Sequence, residues 1–170
     1  KKHLPAPVFA YISGAVERNR SLLANAASFE RYGFLPRVLV GNSKCTTATT
    51  ILGNTYAAPF GIAPMGITAL AAYRGDLVLA SAAARENVPM VMSGSSLIRL
   101  EEVVQVNPNA WFQAYLPGDQ PNIVALIERV LRAGYRTLVI TVDASIASNR
   151  ENNIRAGFST PLRPSLALAW

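Results

Sequence analysis

The stretch from Ala110 to Val142, AWFQAYLPGDQPNIVALIERVLRAGYRTLVITV, reads continuously as a strand, a helix and a second strand. Ala110 to Tyr115 is a short, largely apolar run, and Thr137 to Val142 is apolar and rich in β-branched residues. Between them Asp119 stands as an N-cap with Pro121 in the first turn. Ile123, Leu126, Ile127, Val130 and Leu131 follow at i, i+3, i+4, i+7 and i+8, the stripe of a helix packed on one side. Gly134 ends that helix. Apolar strands alternating with packed helices define a parallel sheet covered by helices.

The same unit recurs toward the amino terminus. Phe60 to Pro64 and Val88 to Met92 are two further apolar runs, each expected to be a strand. Asp76 to Asn87 reads as an Ala- and Leu-rich helix, and a second helix runs through Glu101 to Val104. Upstream, Val16 to Tyr32 carries helical spacing and is stopped by Gly33 and Pro36. Thr46 to Leu52, with a turn at Gly53-Asn54 before Thr55-Tyr56, predicts a small hairpin. The units recur at about 25 residues, and eight of them would make a barrel of about 250 residues. Four units in 170 residues fit either a small open sheet or half of a closed barrel, and the pattern alone leaves both open.

Composition narrows the function classes. Half of the chain is hydrophobic (51%) and only 15% is charged, which suits a large buried core and argues against disorder. The net charge of +6 and a pI near 9.9 raise the question of nucleic acid. The basic residues, however, are scattered from Arg18 to Arg163 and interleave with no aromatic run, so nucleic acid is not expected as a partner. One cysteine, Cys45, excludes an internal disulfide and a multi-cysteine metal site, and suits a reducing compartment. No run of about 18 apolar residues is present to span a bilayer. His3 is the only histidine, so neither a catalytic triad nor a histidine-rich metal site is expected. The Asn19-Arg20-Ser21 sequon would matter only in a secreted protein. The chain closes on apolar Ala167-Leu168-Ala169 before Trp170, and neither end reads as a natural domain edge.

In a parallel α/β fold, chemistry collects at the carboxyl ends of the strands. Those ends carry Pro64-Met65-Gly66, then Ser93-Gly94-Ser95-Ser96, then Gln113 with Tyr115, then Thr141 with Asp143. Gln113 and Thr141 sit in otherwise apolar strands, where an unpaired polar group is costly. A planar heterocycle with alternating donors and acceptors, such as the pyrimidine edge of a flavin, would satisfy an amide and two hydroxyls together. Gly66 would admit a backbone N–H close to such a ring. The plainer reading is that Ser95 and Ser96 cap the next helix while Gln113 and Thr141 bond neighbouring backbone. No G-x-G-x-x-G, Walker or G-x-S-x-G motif occurs.

Ordered segments along the whole chain carry a resemblance. They begin with Leu4-Pro5, Tyr11, Ala24-Asn25 and Pro36-Arg37, then Thr49 to Gly53, Ala58-Pro59-Phe60, Ala63-Pro64 and Gly75-Asp76. Trp111 to Tyr115, Leu138 to Asp143 and Asn149-Arg150-Glu151 complete the series. In that order they resemble the FMN-dependent 2-hydroxy acid oxidoreductases: glycolate oxidase, lactate oxidase, lactate 2-monooxygenase and mandelate dehydrogenase.

The resemblance implies the N-terminal half of an FMN-binding (β/α)8 TIM barrel, with residues 1–170 as part of a single barrel domain. It implies that Pro64, Met65 and Gly66 pass the flavin N5 side, and that Ser93, Gln113 and Thr141 surround the ring. Tyr11 and Arg150 would hold the substrate carboxylate and the substrate side. Tyr115 would stand by the substrate hydroxyl as the catalytic tyrosine of this half. The plainer alternatives are packing for Tyr11 and Tyr115 and a surface salt bridge for Arg150.

Where many members carry Ala this chain has Gly66, and in that it resembles mandelate dehydrogenase and lactate 2-monooxygenase, which leans away from a plain oxidase. Met65 stands where Thr or Ile is common, and Ser148-Asn149 where glycolate oxidase has Gly-Arg. The family's catalytic histidine, carboxylate-gripping arginine, flavin-facing lysine and phosphate loops belong to a C-terminal half, expected as a partner of this chain. The implied activity is oxidation of a small (S)-2-hydroxy acid such as L-lactate to the 2-oxo acid, by a homotetramer. The expected location is the cytoplasm, or the membrane surface through a loop of the C-terminal half. Competing readings are a non-catalytic binding or assembly fragment, and an FMN- or phosphate-binding barrel with other chemistry.

Overall fold

A computed structural model describes residues 3–144 and 146–161; the closing Ala167 to Trp170 lies outside the described residues. The chain divides into two compact units, one of residues 44–145 and one of residues 1–43 with 146–170.

The first unit carries the sheet. Strands β1 (Thr49–Ile51) and β2 (Asn54–Tyr56) form the expected antiparallel hairpin, with Thr50 opposite Thr55. The turn falls one residue earlier than expected, on Leu52 and Gly53, both at positive φ (50° and 82°). A two-residue hairpin turn that matches strand twist needs positive φ at both positions, which releases Asn54 into the strand. Leu52 adopts this backbone at a cost of about 1 kcal/mol, with its side chain in solvent.

Strands β3 (Val91–Ser93), β4 (Trp111–Ala114) and β5 (Leu138–Ile140) form a parallel sheet in the order β3-β4-β5. In register, Ser93 faces Gln113 and Gln113 faces Val139. The run from Phe60 to Pro64, expected to be a strand, is reduced to one parallel bridge between Ile62 and Met90. Ile62 N–H bonds the Pro89 carbonyl at 2.8 Å and its own carbonyl accepts from Val91 N–H at 2.9 Å. Pro59 and Pro64 have no N–H for a longer ladder. The bridge still places the run beside β3.

Helices α3 (Gly75–Glu86), α4 (Leu100–Val106) and α5 (Gln120–Ala133) connect these strands. Asp119 caps α5 as its sequence position predicts, accepting from Asn122 N–H at 3.0 Å, and Gly134 ends it at φ 107°. Strand alternation divides the sheet into two faces. Met92, Phe112 and Ala114 lie in a core with Ala80, Val103 and Val130 of the helices. Tyr135 closes that core: its ring meets Phe112 edge-on at 5.6 Å and its hydroxyl donates to the Leu100 carbonyl at 2.9 Å. Burial, then the negative charges of Glu101 and Asp76, push the Tyr135 phenol above the usual tyrosine range. On the outer surface, Arg129 grips Glu101 with two bonds of 2.9 and 3.1 Å.

The second unit is helical. It holds α1 (Ala6–Ser13), α2 (Arg20–Ser28) with a 3₁₀ turn at Phe29–Arg31, and α6 (Glu151–Arg155) packed on α1. The helix expected from Val16 begins at Arg20, because Glu17 and Asn19 take positive φ (49° and 60°). Asn152 fastens this bend, donating to the Ala15 carbonyl at 3.4 Å and to Asn19 Oδ1 at 3.3 Å. No helix among the described residues is long and apolar enough to cross a membrane.

Candidate functional site

The sheet face turned away from the helices carries the polar residues of the strand ends. Register and alternation put Ser93, Gln113 and Thr141 on that face, at the carboxyl ends of β3, β4 and β5. Gln113 is only 2% exposed, so its amide must find partners inside the protein. Its Oε1 accepts from Gly94 N–H at 3.1 Å and from the Ser93 hydroxyl at 3.3 Å. Its Nε2 donates to Thr141 Oγ1 at 2.9 Å. Ser93 Oγ in turn accepts from Ser95 N–H at 3.1 Å. One amide thus ties three strand ends into a single network.

Gly66 reaches the same place from the loop after the Phe60–Pro64 run. A Cβ there would lie 3.2 Å from Ser95 Cβ and 3.9 Å from Ser93 Oγ. Ile67 N–H bonds the Ser95 carbonyl at 3.1 Å, so the two loops run side by side. Pro64 and Met65 precede Gly66 in this loop and are exposed. Tyr115, just beyond β4, is 52% exposed.

The plainer expectations hold in part. Gln113 does bond backbone, at Gly94, but its other bonds go to side chains. Ser96 does not cap α4, whose N-cap is Arg99 without a side-chain bond. Its hydroxyl instead accepts from Ile98 N–H at 2.9 Å and donates to Asp76 at 2.7 Å.

Tyr11 and Arg150 come together within the helical unit. The Tyr11 ring stacks on Phe158 at 4.4 Å with an 18° angle between planes. The Arg150 guanidinium lies 5.7 Å from the Tyr11 ring centre, a cation–π contact, and its Nε donates to Ser148 Oγ at 3.2 Å. Tyr11 therefore does pack, while Arg150 makes no salt bridge among the described residues. Phe158, buried behind Tyr11, was not among the residues the sequence singled out. No group of three or more His, Cys, Asp or Glu that could hold a metal occurs among the described residues.

The donors of the network suit a flat group with alternating polar atoms. Among the described residues Gln113 Nε2 uses one of its two protons, and the Thr141 hydroxyl accepts without donating. Gly66 leaves open the space that a Cβ would fill. These features fit the ring edge of FMN.

The sequence matches the FMN-dependent dehydrogenase family over residues 1–170. The chain belongs to the FMN-dependent dehydrogenase family. It is 41% identical to an L-lactate oxidase of a Nostoc species over 175 residues, 99% of this chain and 47% of that protein. It is 36% identical to a peroxisomal (S)-2-hydroxy-acid oxidase of Oryza sativa subsp. indica, over 91% of this chain and 43% of that protein. A solved structure of mandelate oxidase with benzoyl-formic acid superposes with a TM-score of 0.87 at 32% identity, covering 94% of this chain and 48% of that one. Another mandelate oxidase structure, with a C4a-OH-FMN adduct, superposes with a TM-score of 0.85. The chain spans about half the length of the relatives it matches, and its fold is the N-terminal half of a (β/α)8 barrel.

Proposed function

We propose that residues 1–170 form the amino-terminal half of an FMN-dependent enzyme that oxidises a small (S)-2-hydroxy acid, L-lactate or a close analogue, to the 2-oxo acid. The observation that carries this reading is the buried Gln113 amide. It joins Ser93, Gly94 and Thr141 at the strand ends and, among the described residues, keeps a donor to spare. The family membership and the L-lactate oxidase and (S)-2-hydroxy-acid oxidase relatives support it.

Bound FMN would supply the two-electron acceptor for the substrate's α-carbon–hydrogen bond. The chain's own residues bind and orient. Gln113 and Thr141 would meet the polar ring edge, with Ser93 holding the Gln113 oxygen in place. Pro64, Met65 and Gly66 would pass the ring closely, since the missing Cβ at Gly66 permits backbone approach. Tyr11 would donate its hydroxyl to the substrate carboxylate while its ring stays fixed on Phe158, and Arg150 would supply positive charge beside it. Tyr115 would hold the substrate hydroxyl. The base that removes the substrate proton would come from the C-terminal half, which with this half would complete one barrel domain within a homotetramer in the cytoplasm.

Adding L-lactate to the intact protein without oxygen tests the reading. Loss of the flavin absorbance on addition is the expected result. A colourless protein that takes up no FMN would refute it.

A further inference from the structure

Asp76 is a carboxylate only 2% exposed, and among the described residues its side-chain bonds go to hydroxyls. It lies in the first turn of α3, where the helix N-terminus favours negative charge. Its Oδ2 accepts two short bonds, from Thr68 Oγ1 at 2.6 Å and from Ser96 Oγ at 2.7 Å. Charged acceptors make the stronger hydrogen bonds, and a buried charge left without donors is costly.

The two donors come from different loops. Thr68 is two residues past Gly66, and Ser96 is three residues past Ser93. These are the loops that the Ile67 N–H to Ser95 carbonyl bond already joins. Gly75 lets the first loop approach α3, since a Cβ there would be 2.9 Å from the Thr68 carbonyl. Ser96 is held at a second point by Ile98 N–H. One buried oxygen on α3 therefore joins the loop that carries Gly66 to the loop that carries Ser93.

We infer that Asp76 is a positioning residue for the cofactor: through Thr68 and Ser96 it holds the Gly66 loop against the Ser93 loop, so that both meet the flavin in one fixed arrangement. The inference rests on the proposed function of the Gln113 network. Asp76 would act on the cofactor through these two hydroxyls.

FMN titrations on the full-length apoprotein, followed by quenching of flavin fluorescence, test it. Asp76→Asn and the double change Thr68→Val with Ser96→Ala are measured beside Gln113→Leu, with the thermal midpoint of each apoprotein. The expected result is FMN affinity weakened about tenfold or more in both Asp76→Asn and the double variant. Flavin circular dichroism is expected to change in the protein that stays loaded. Ser96→Ala alone should give a smaller loss than the double variant. If Asp76→Asn does not fold, the double variant decides.

Lowered thermal midpoints with unchanged FMN affinity and unchanged flavin dichroism would overturn the inference, leaving Asp76 a purely structural brace. Weakened binding in Gln113→Leu alone would leave the proposed site standing and the Asp76 role refuted. Unchanged binding in Gln113→Leu as well would remove the site and the inference with it.

Discussion

Gln113 and Thr141 meet at 2.9 Å across the ends of two neighbouring parallel strands, amide to hydroxyl, on the face turned away from the helices. A leucine at position 113 would leave the buried Ser93 hydroxyl without its acceptor, an unmade bond costing about 1–3 kcal/mol. Gln113→Leu is therefore expected to lower both the denaturation midpoint and the affinity for FMN. Urea unfolding and flavin titration on the same preparation check both; full flavin retention would exclude Gln113 from the ring site.

Two neighbouring glycines should respond differently to a methyl group. At Gly94 a Cβ would lie 2.7 Å from the Gln113 carbonyl oxygen, a backbone atom that moves only with β4. Gly94→Ala is expected to cost about 1–3 kcal/mol by overpacking. At Gly66 the nearest atom is the Ser95 side chain at 3.2 Å, which needs to give by only a few tenths of an ångström. Gly66→Ala should therefore stay within about 1 kcal/mol of the parent. Equal denaturation midpoints for the two variants would show that the loop, not the strand, absorbs the strain.

Tyr11→Phe keeps the ring on Phe158 and beneath Arg150 and removes only the hydroxyl. Turnover of L-lactate should fall about tenfold or more, since one hydrogen bond to a charged group is lost. FMN content and thermal midpoint should not change. Loss of flavin in this variant would contradict the role proposed for Tyr11.

The Glu101–Arg129 pair predicts an acid limb of stability. The bonds from Arg129, followed by a backbone bond and then the charges of Arg129 and Arg99, hold the Glu101 carboxyl at about 2, against 4.5 when unperturbed. A lowered folded-state pKa adds stability above the unfolded value and loses it as pH falls toward the folded one. The contribution is therefore complete above about pH 5 and lost between about 4.5 and 2. Solvent screening of this surface pair limits it to about 1 kcal/mol. Denaturation midpoints of the parent and Glu101→Gln measured from pH 7 to pH 2 should converge at the acid end.

The parallel βα units were legible in the sequence because their signals were local and mutually consistent. Asp119, Pro121 and Gly134 marked the ends of α5, and its apolar stripe marked the buried side. The Phe60–Pro64 run misled because its apolar residues read as a strand, while two prolines limit what its backbone can donate. At the strand ends, polar residues in apolar runs pointed to Gln113 and Thr141. Asp76 stood in the sequence only as the start of a helix and within the Gly75-Asp76 segment, since nothing local signals that its partners lie 8 and 20 residues away. Phe158 lay outside every motif, although a lone aromatic shortly after Arg150 was the available clue.

The Tyr135 phenol donates to the Leu100 carbonyl from inside the core, and burial together with nearby carboxylates opposes its ionisation. The sheet-bearing unit thus carries a silent chromophore in its core. In an alkaline titration the Tyr135 phenolate should appear only when the helices part from the sheet. That late step would clock the opening of the half-barrel from within.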